Sequence, residues 1–108
     1  MLPKKNRASK KDVDEIFKDG FFFNSPNLTF KFLIKKDVIG TRISFISPKS
    51  ISKKAVIRNK LRRTGYRALQ KHQNLFPSGL IGVFIFKKYQ DDISIIENEI
   101  KTILSKIN

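Results

Sequence analysis

Apolar and polar residues alternate with two different periods along the chain, and these periods predict its strands and helices. The strands are predicted at residues 28–36, 41–47 and 79–88. In the first strand Phe30 and Phe32 share one face while Lys31 lies on the other. The second strand is expected to pair antiparallel with the first, across a turn at Gly40. The third is a continuous apolar run, which is typical of a strand buried on both faces at the centre of a sheet.

Apolar residues at helical spacing predict helices over residues 10–19, 51–73 and 91–107. Ser9 is placed to cap the first helix and Gly20 to end it. Asp91 and Asp92 open the third, where the helix dipole favours negative charge. Residues 21–27 are interpreted as a bent lead-in to the first strand. The order α-β-β-α-β-α predicts one two-layer α+β domain over residues 1–108.

Charge narrows the class of partner. The chain of 108 residues has 23 Lys and Arg against nine Asp and Glu, a formal net charge of +14. No acid lies between Asp37 and Asp91, whereas twelve Lys or Arg do. A soluble surface ordinarily mixes both signs, so this distribution predicts a face that binds a polyanion. A membrane partner is disfavoured, because the basic helix commits its apolar stripe to the core.

Composition excludes several other functions. The sequence contains no cysteine, which rules out disulfides, thiol catalysis and thiolate metal sites. The apolar run at 80–86 is too short to span a bilayer, and the basic N-terminus leads into no apolar segment, so a cytoplasmic protein is expected. The one histidine, His72, lies on the core side of its helix and is interpreted as a packing or capping residue. Asp91 and Asp92 are explained by their helix end, and no metal site is predicted.

The second predicted helix contains the strongest local signal. Residues 53–63, KKAVIRNKLRR, contain six basic residues and no acid. Ile57, Leu61 and Gly65 face the core, with Gly65 expected to pack closely against the sheet. The face directed away from the core consists of Asn59, Arg62, Arg63 and Tyr66, flanked by Arg58, Lys60 and Arg67 and preceded by Lys53 and Lys54. A solvated helix is the ordinary explanation of such a run, but here no acid relieves the repulsion at i,i+4 spacing. Phosphate would relieve it, and arginine matches phosphate geometrically.

The aromatic residues offer a second candidate surface. The ten Phe are accompanied by two Tyr and no Trp, so most of them are needed for the core. Phe17 and one or two residues of the range 21–23 are the candidates for an exposed role, in which a ring stacks on a nucleic-acid base.

The basic stretch also resembles a known signature. RNKLRR at 58–63, preceded by PKSISKKAV, is similar to the "RNR" signature of the bacterial ribonuclease P protein subunit. NRASKKDVDEIFKDG at 6–20 resembles the N-terminal pattern of the same family. Element order and length agree as well, so the resemblance covers essentially the whole chain.

This resemblance implies a subunit of an endoribonuclease whose catalytic RNA performs the Mg²⁺-dependent removal of the 5′ leader from precursor tRNA. The expected partners are that RNA and precursor tRNA, in a ribonucleoprotein with one protein and one RNA. The protein itself is expected to bind no cofactor. The implied fold is ribosomal-protein-like, with a left-handed β-α-β crossover around the signature helix.

The resemblance also implies site residues. The predicted RNA-binding residues are Lys49, Lys53, Lys54, Arg58, Asn59, Lys60, Arg62, Arg63, Tyr66 and Arg67. A cleft for the single-stranded leader is implied between the first helix and the sheet, at Val13, Phe17 and Lys31. No catalytic residue is assigned to the protein.

The chain departs from the family pattern at several of these positions. Lys60 stands where the signature has a second arginine, Ser50 replaces a lysine of the preceding loop, and Tyr66 stands where an arginine is common. Val13 and Lys31 stand where the cleft often has aromatic residues, which favours a more electrostatic grip on the leader. The alternative function is a ribosomal or ribosome-assembly protein, since such proteins share the basic α+β design.

Overall fold

The computed structural model describes residues 7–107, which form seven main elements and one short 3₁₀ turn, Gln73–Leu75. The helices are α1 (Lys10–Asp19), α2 (Ala55–Leu69) and α3 (Ile93–Ile107), and the strands are β1 (Phe21–Asn24), β2 (Leu28–Ile34), β3 (Arg42–Ile46) and β4 (Leu80–Phe86). The predicted α+β class is confirmed. The lead-in expected before the first strand proves to be a strand of its own, because Phe21 to Asn24 pair in register with β2.

The four strands form one mixed sheet in the order β1-β2-β4-β3. The predicted central position of β4 is confirmed, since it pairs antiparallel with β2 and parallel with β3. The prediction that β3 pairs antiparallel with β2 is wrong. Every residue of β4 except Ile85 is buried, and a strand of this kind is most stable between two neighbours. β4 therefore takes the place beside β2, and the loop after β2 carries the chain past it to β3.

Parallel neighbours cannot be joined by a tight turn, and α2 provides the crossover from β3 to β4. The left-handed sense of this crossover stays a prediction. α2 and α3 pack on one face of the sheet over a core dominated by phenylalanine rings, in which Phe84 stacks on Phe30 and Phe45 with centroids 4.3 and 5.0 Å apart. The prediction that most phenylalanines belong to the core is confirmed.

α1 lies on the opposite face, where Ile16 packs on Ile81 and Val83 in a second, smaller core. The fold thus has a partial third layer in addition to the two predicted. Ser9 caps α1 as predicted, because its side chain accepts from the Asp12 N–H at 3.2 Å while the Asp12 carboxylate accepts from the Ser9 N–H at 2.9 Å. This reciprocal capping box fixes the start of the helix that borders the implied leader cleft.

α2 is shorter than predicted at both ends. It begins at Ala55, because residues 48–54 form turns, including a bond from the Ile51 N–H to the Pro48 carbonyl at 3.1 Å. It ends at Leu69, whose carbonyl accepts from the His72 N–H in a tighter turn. The expected close packing of Gly65 is confirmed, since a Cβ there would lie 2.6 Å from Cε2 of Phe45.

Candidate nucleic-acid interface

The first turn of α2 and the loop before it form one cationic surface. The Arg58 guanidinium donates to the carbonyls of Ser52 and Lys53, both at 2.9 Å, and thereby holds the loop against the helix. Lys53 and Lys54 stay exposed beside it. No side chain caps this helix end, so the positive end of the helix dipole adds to the charge of the lysines. Such an end is suited to an anionic ligand.

One flank of α2, called the arginine flank here, contains a pocket of about 320 Å³. Its lining consists of Arg7, Phe45, Asn59, Arg62, Arg63 and Tyr66. Arg62 donates to the side-chain oxygen of Asn59, which orients both side chains. Asn59, Arg62 and Arg63 are exposed, as predicted. Three guanidinium groups around one concavity of this size are a favourable arrangement for RNA phosphates.

Arg7 was not among the predicted site residues. The Ala8 carbonyl accepts from the Ser44 hydroxyl at 3.0 Å, which fastens the N-terminal segment to the edge of β3. Arg7 is then held with its guanidinium carbon 5.7 Å from the centroid of the Tyr66 ring. The position of Arg7 opposite α2 depends on β3 being the edge strand, and the pattern along the sequence did not supply that strand order. The one signal in the sequence that pointed to Arg7 was its position in the segment at 6–20, which resembles the N-terminal pattern of the family.

Tyr66 corrects the predicted outward face of α2. It is only 7% exposed, its ring meets Phe45 edge-on at 5.1 Å, and its hydroxyl oxygen accepts the Phe45 N–H at 3.2 Å. The prediction that it points away from the core is wrong, because α2 packs against both β3 and α3 and therefore buries an arc wider than the apolar stripe. Tyr66 forms the floor of the pocket and presents no free ring to a ligand.

The other flank of α2, called the lysine flank here, is lined by Lys60, Arg63, Thr64 and Arg67. Asp91 joins it from the loop before α3, with Oδ2 at 3.3 Å from Nζ of Lys60. The Tyr89 hydroxyl donates to the same oxygen at 3.0 Å. These contacts, that of Tyr89 first and that of Lys60 second, lower the pKa of Asp91 below its ordinary value. The cationic helix is free of acids in sequence, but the tertiary fold brings one to it.

The three residues implied for the leader cleft lie on the opposite face of the sheet. Nζ of Lys31 stands 4.9 Å from the centroid of the half-exposed Phe17 ring, while Val13 is half-buried against the smaller core. Phe22 pairs in register with Lys31 and is also exposed, so it joins the same surface. We call Phe17, Phe22 and Lys31 the aromatic cleft. The expected exposure of Phe17 and of part of the range 21–23 is confirmed.

The remaining polar candidates are structural. His72 is buried, and its Nε2 lies 2.8 Å from Oε2 of Glu97, which ties the turn after α2 to α3. Asp92 caps α3 by accepting from the Ser94 N–H at 2.9 Å. Within residues 7–107 no three His, Asp or Glu side chains come together as a metal site. No helix in that range has the length and apolar character needed to cross a membrane.

These features define a small, basic α+β protein that presents an arginine-rich helix on one face and an aromatic cleft on the other. Comparison with known proteins identifies the family. The family model for Ribonuclease P matches residues 2–108. The chain therefore belongs to the ribonuclease P protein family, and it is a protein component of the ribonucleoprotein that processes the 5′ ends of tRNA.

Solved structures agree with this assignment at the level of the fold. The ribonuclease P protein from Thermotoga maritima is 22% identical, with a TM-score of 0.78 over 92% of this chain and 94% of that one. One structure of the Staphylococcus aureus protein is 22% identical, with a TM-score of 0.75 over 99% and 93% of the two chains. Another, at 18% identity, has a TM-score of 0.74 over 93% and 94%. No curated protein matches this chain.

Proposed function

We propose that the loop before α2 and the arginine flank bind the catalytic RNA of ribonuclease P. The observation that supports this most directly is the convergence of Arg7, Arg62 and Arg63 on one pocket beside an uncapped helix end. Phosphate contacts would supply most of the affinity, and Asn59 would contact a base edge or a sugar. This surface extends along the loop and the start of α2 through Lys49, Lys53, Lys54 and Arg58. Lys60 and Arg67 lie on the lysine flank, on the other side of α2.

In the same proposal, the aromatic cleft holds the single-stranded 5′ leader of precursor tRNA. Phe17 supplies a ring on which a base can stack, and Lys31 supplies charge for the backbone. Phe22 extends the cleft along β1. Since Lys31 stands where the family often has an aromatic residue, the grip on the leader should depend on salt more than on leader sequence.

The chemistry is assigned to the RNA, with Mg²⁺ held at the RNA active site and no cofactor held by the protein. The sequence has no cysteine, and its one histidine is engaged with Glu97. The proposed assembly has one protein and one RNA, acts in the cytoplasm, and uses residues 1–108 as a single RNA-binding domain. A role in the ribosome is the weaker alternative, because the family match extends over residues 2–108.

The assignment of the arginine flank is tested by the double substitution Arg62→Ala and Arg63→Ala. Loss of one or two phosphate contacts should weaken binding to the catalytic RNA and reduce the slope of log affinity against log salt by about one to two. Fluorescence titrations at several salt concentrations measure both quantities. Cleavage of precursor tRNA at low Mg²⁺ should fall in parallel.

The matched control is Lys18→Ala with Lys36→Ala, which removes the same charge from exposed positions outside α2. The control should retain the affinity and slope of the wild type apart from a small general charge effect. Equal effects of the two double variants would refute the arginine flank as the binding surface. Failure of the wild-type protein to stimulate leader cleavage would instead favour the ribosomal alternative.

A further inference from the structure

The two flanks of α2 differ in the acids that face them, although Arg63 lines both. On the arginine flank, the pocket lining contains no carboxylate. On the lysine flank, the carboxylate of Asp91 lies against Lys60 at 3.3 Å. A polyanion approaching α2 would therefore meet no carboxylate in the pocket of the arginine flank, whereas on the lysine flank it would meet the carboxylate of Asp91 beside Lys60.

The contact between Lys60 and Asp91 contributes little to the fold itself. Both side chains are substantially exposed, at 56% and 39% for Lys60 and Asp91, and exposed pairs of this kind stabilise proteins weakly. The helix start is served by its neighbour Asp92, whose Oδ1 accepts from the Ser94 N–H. Stability and helix capping thus leave the orientation of Asp91 towards α2 unexplained.

Asp91 is nevertheless held in this orientation. The Tyr89 hydroxyl donates to Oδ2 at 3.0 Å, and the same oxygen faces Lys60. Tyr89 lies two residues earlier in the same loop, so the loop itself directs the carboxylate. An ionised carboxylate at this point repels phosphate and competes with it for the only lysine of α2.

We propose that Asp91 is a specificity-determining residue, which blocks phosphate binding at Lys60 and confines the RNA backbone to the arginine flank. This inference rests on the proposed function of α2. It also accounts for the lysine in the signature. A lysine at position 60 needs only one oxygen partner, whereas an arginine would keep donors free for phosphate.

The test is Asp91→Asn, which keeps the size of the side chain and removes its charge. Freeing Lys60 should increase affinity for the catalytic RNA about threefold to tenfold and steepen the salt slope by about one. Affinity for an unrelated RNA, such as polyuridylate, should rise by a larger factor, so that discrimination between the two RNAs decreases. Both titrations are made with the full chain.

Two further variants separate the mechanism from a general change in charge. Asp14→Asn removes the same charge from an exposed position of α1, on the opposite face of the sheet, and should change affinity less than twofold. In a Lys60→Gln background, Asp91→Asn should lose most of its effect, because the lysine that it frees is absent.

An Asp91→Asn variant with unchanged affinity and slope would overturn the inference, as would an equal gain in the presence and absence of Lys60. These outcomes are distinct from failure of the proposed function. If Arg62→Ala with Arg63→Ala weakens binding while Asp91→Asn is neutral, the arginine flank stands and only the role of Asp91 is refuted. If neither change affects binding, α2 is not the RNA-binding helix.

Discussion

Gly65 shows how a single residue positions the whole signature helix. It is the point at which α2 approaches the ring of Phe45, and the same ring meets Tyr66 edge-on. A side chain at position 65 would push α2 away from β3. Because the arginine flank is built between α2 and the segment fastened to β3, this contact sets the width of the pocket as well as the packing of the core.

We expect Gly65→Ala to destabilise the protein, although alanine is the better helix former. The gain in helix propensity is about 1 kcal/mol, whereas forcing a methyl group into a packed core costs about 1–3 kcal/mol. The ring of Phe45 packs against the rings of Phe84 and Phe86 and has little freedom to move aside. Subtracting the propensity gain from the packing cost leaves a net loss of about 0–2 kcal/mol. Because Phe45 has little freedom to yield, urea denaturation should show a loss in the upper half of this range, about 1–2 kcal/mol.

The control for this prediction is Asn98→Ala, at an exposed position of α3 where propensity acts without a packing penalty. It should leave stability unchanged or slightly increased. A Gly65→Ala variant that is as stable as this control would mean that α2 can shift without cost, and the pocket would then not depend on the close contact with Phe45.

At the scale of elements, the local pattern predicted the three helices and three of the four strands, missed β1, and did not show which strands are neighbours. The apolar run of β4 and the capping residues of α1 are properties of adjacent residues, and both were predicted correctly. The parallel pairing of β3 with β4 depends on competition between distant strands for one position in the sheet. The contacts of Tyr66 with Phe45 and of Asp91 with Lys60 were not predicted for the same reason, since the two residues of each pair lie far apart in the sequence.

One link between elements gives a prediction about pH. The hydrogen bond from His72 lowers the pKa of Glu97 below its ordinary value of 4.5, and the nearby charges of Lys101 and Lys71 act in the same direction. A carboxylate whose pKa is lowered on folding contributes stability above its unfolded pKa. That contribution is lost as the pH falls through the folded pKa.

Glu97→Gln should therefore reduce the melting temperature at neutral pH, and the difference from wild type should shrink as the pH falls below 4.5. Thermal melts across this pH range measure the effect. In a His72→Phe background the substitution should have much less effect, because the ring that donates the hydrogen bond is replaced by one without a donor. A difference between wild type and Glu97→Gln that persists unchanged into acid would show that packing, not charge, ties the turn after α2 to α3.

For the whole molecule, the important fact is that two candidate RNA surfaces lie on opposite faces of one sheet. The arginine flank is on the side of α2 and α3, and the aromatic cleft is on the side of α1. From charge and helical spacing the sequence predicted Asn59, Arg62 and Arg63 of the first surface, and through the family resemblance it implied Phe17 and Lys31 of the second. It could not supply their separation, which depends on α1 packing against Ile81 and Val83.

This separation predicts that the two functions can be removed independently. Phe17→Ala removes the stacking surface of the aromatic cleft, and loss of one stacked base costs about 1–3 kcal/mol. Since Lys31 already lies over the ring, we expect the lower end of this range, about fivefold. The holoenzyme should lose that much affinity for precursor tRNA relative to mature tRNA, while the affinity of the protein for the catalytic RNA stays unchanged.

The Arg62→Ala, Arg63→Ala variant should show the reverse pattern, with weaker assembly and an unchanged preference for the leader once assembly is saturated. Residues on opposite faces of the sheet share no contacts, so the free-energy costs of the combined variant should add to within about 0.5 kcal/mol. Titration of the catalytic RNA with each variant measures the free-energy cost in assembly. Binding of precursor and mature tRNA to the reconstituted holoenzyme measures the cost in leader binding. A strong departure from additivity would mean that the sheet couples the two surfaces, so that the leader and the catalytic RNA are bound by one connected site.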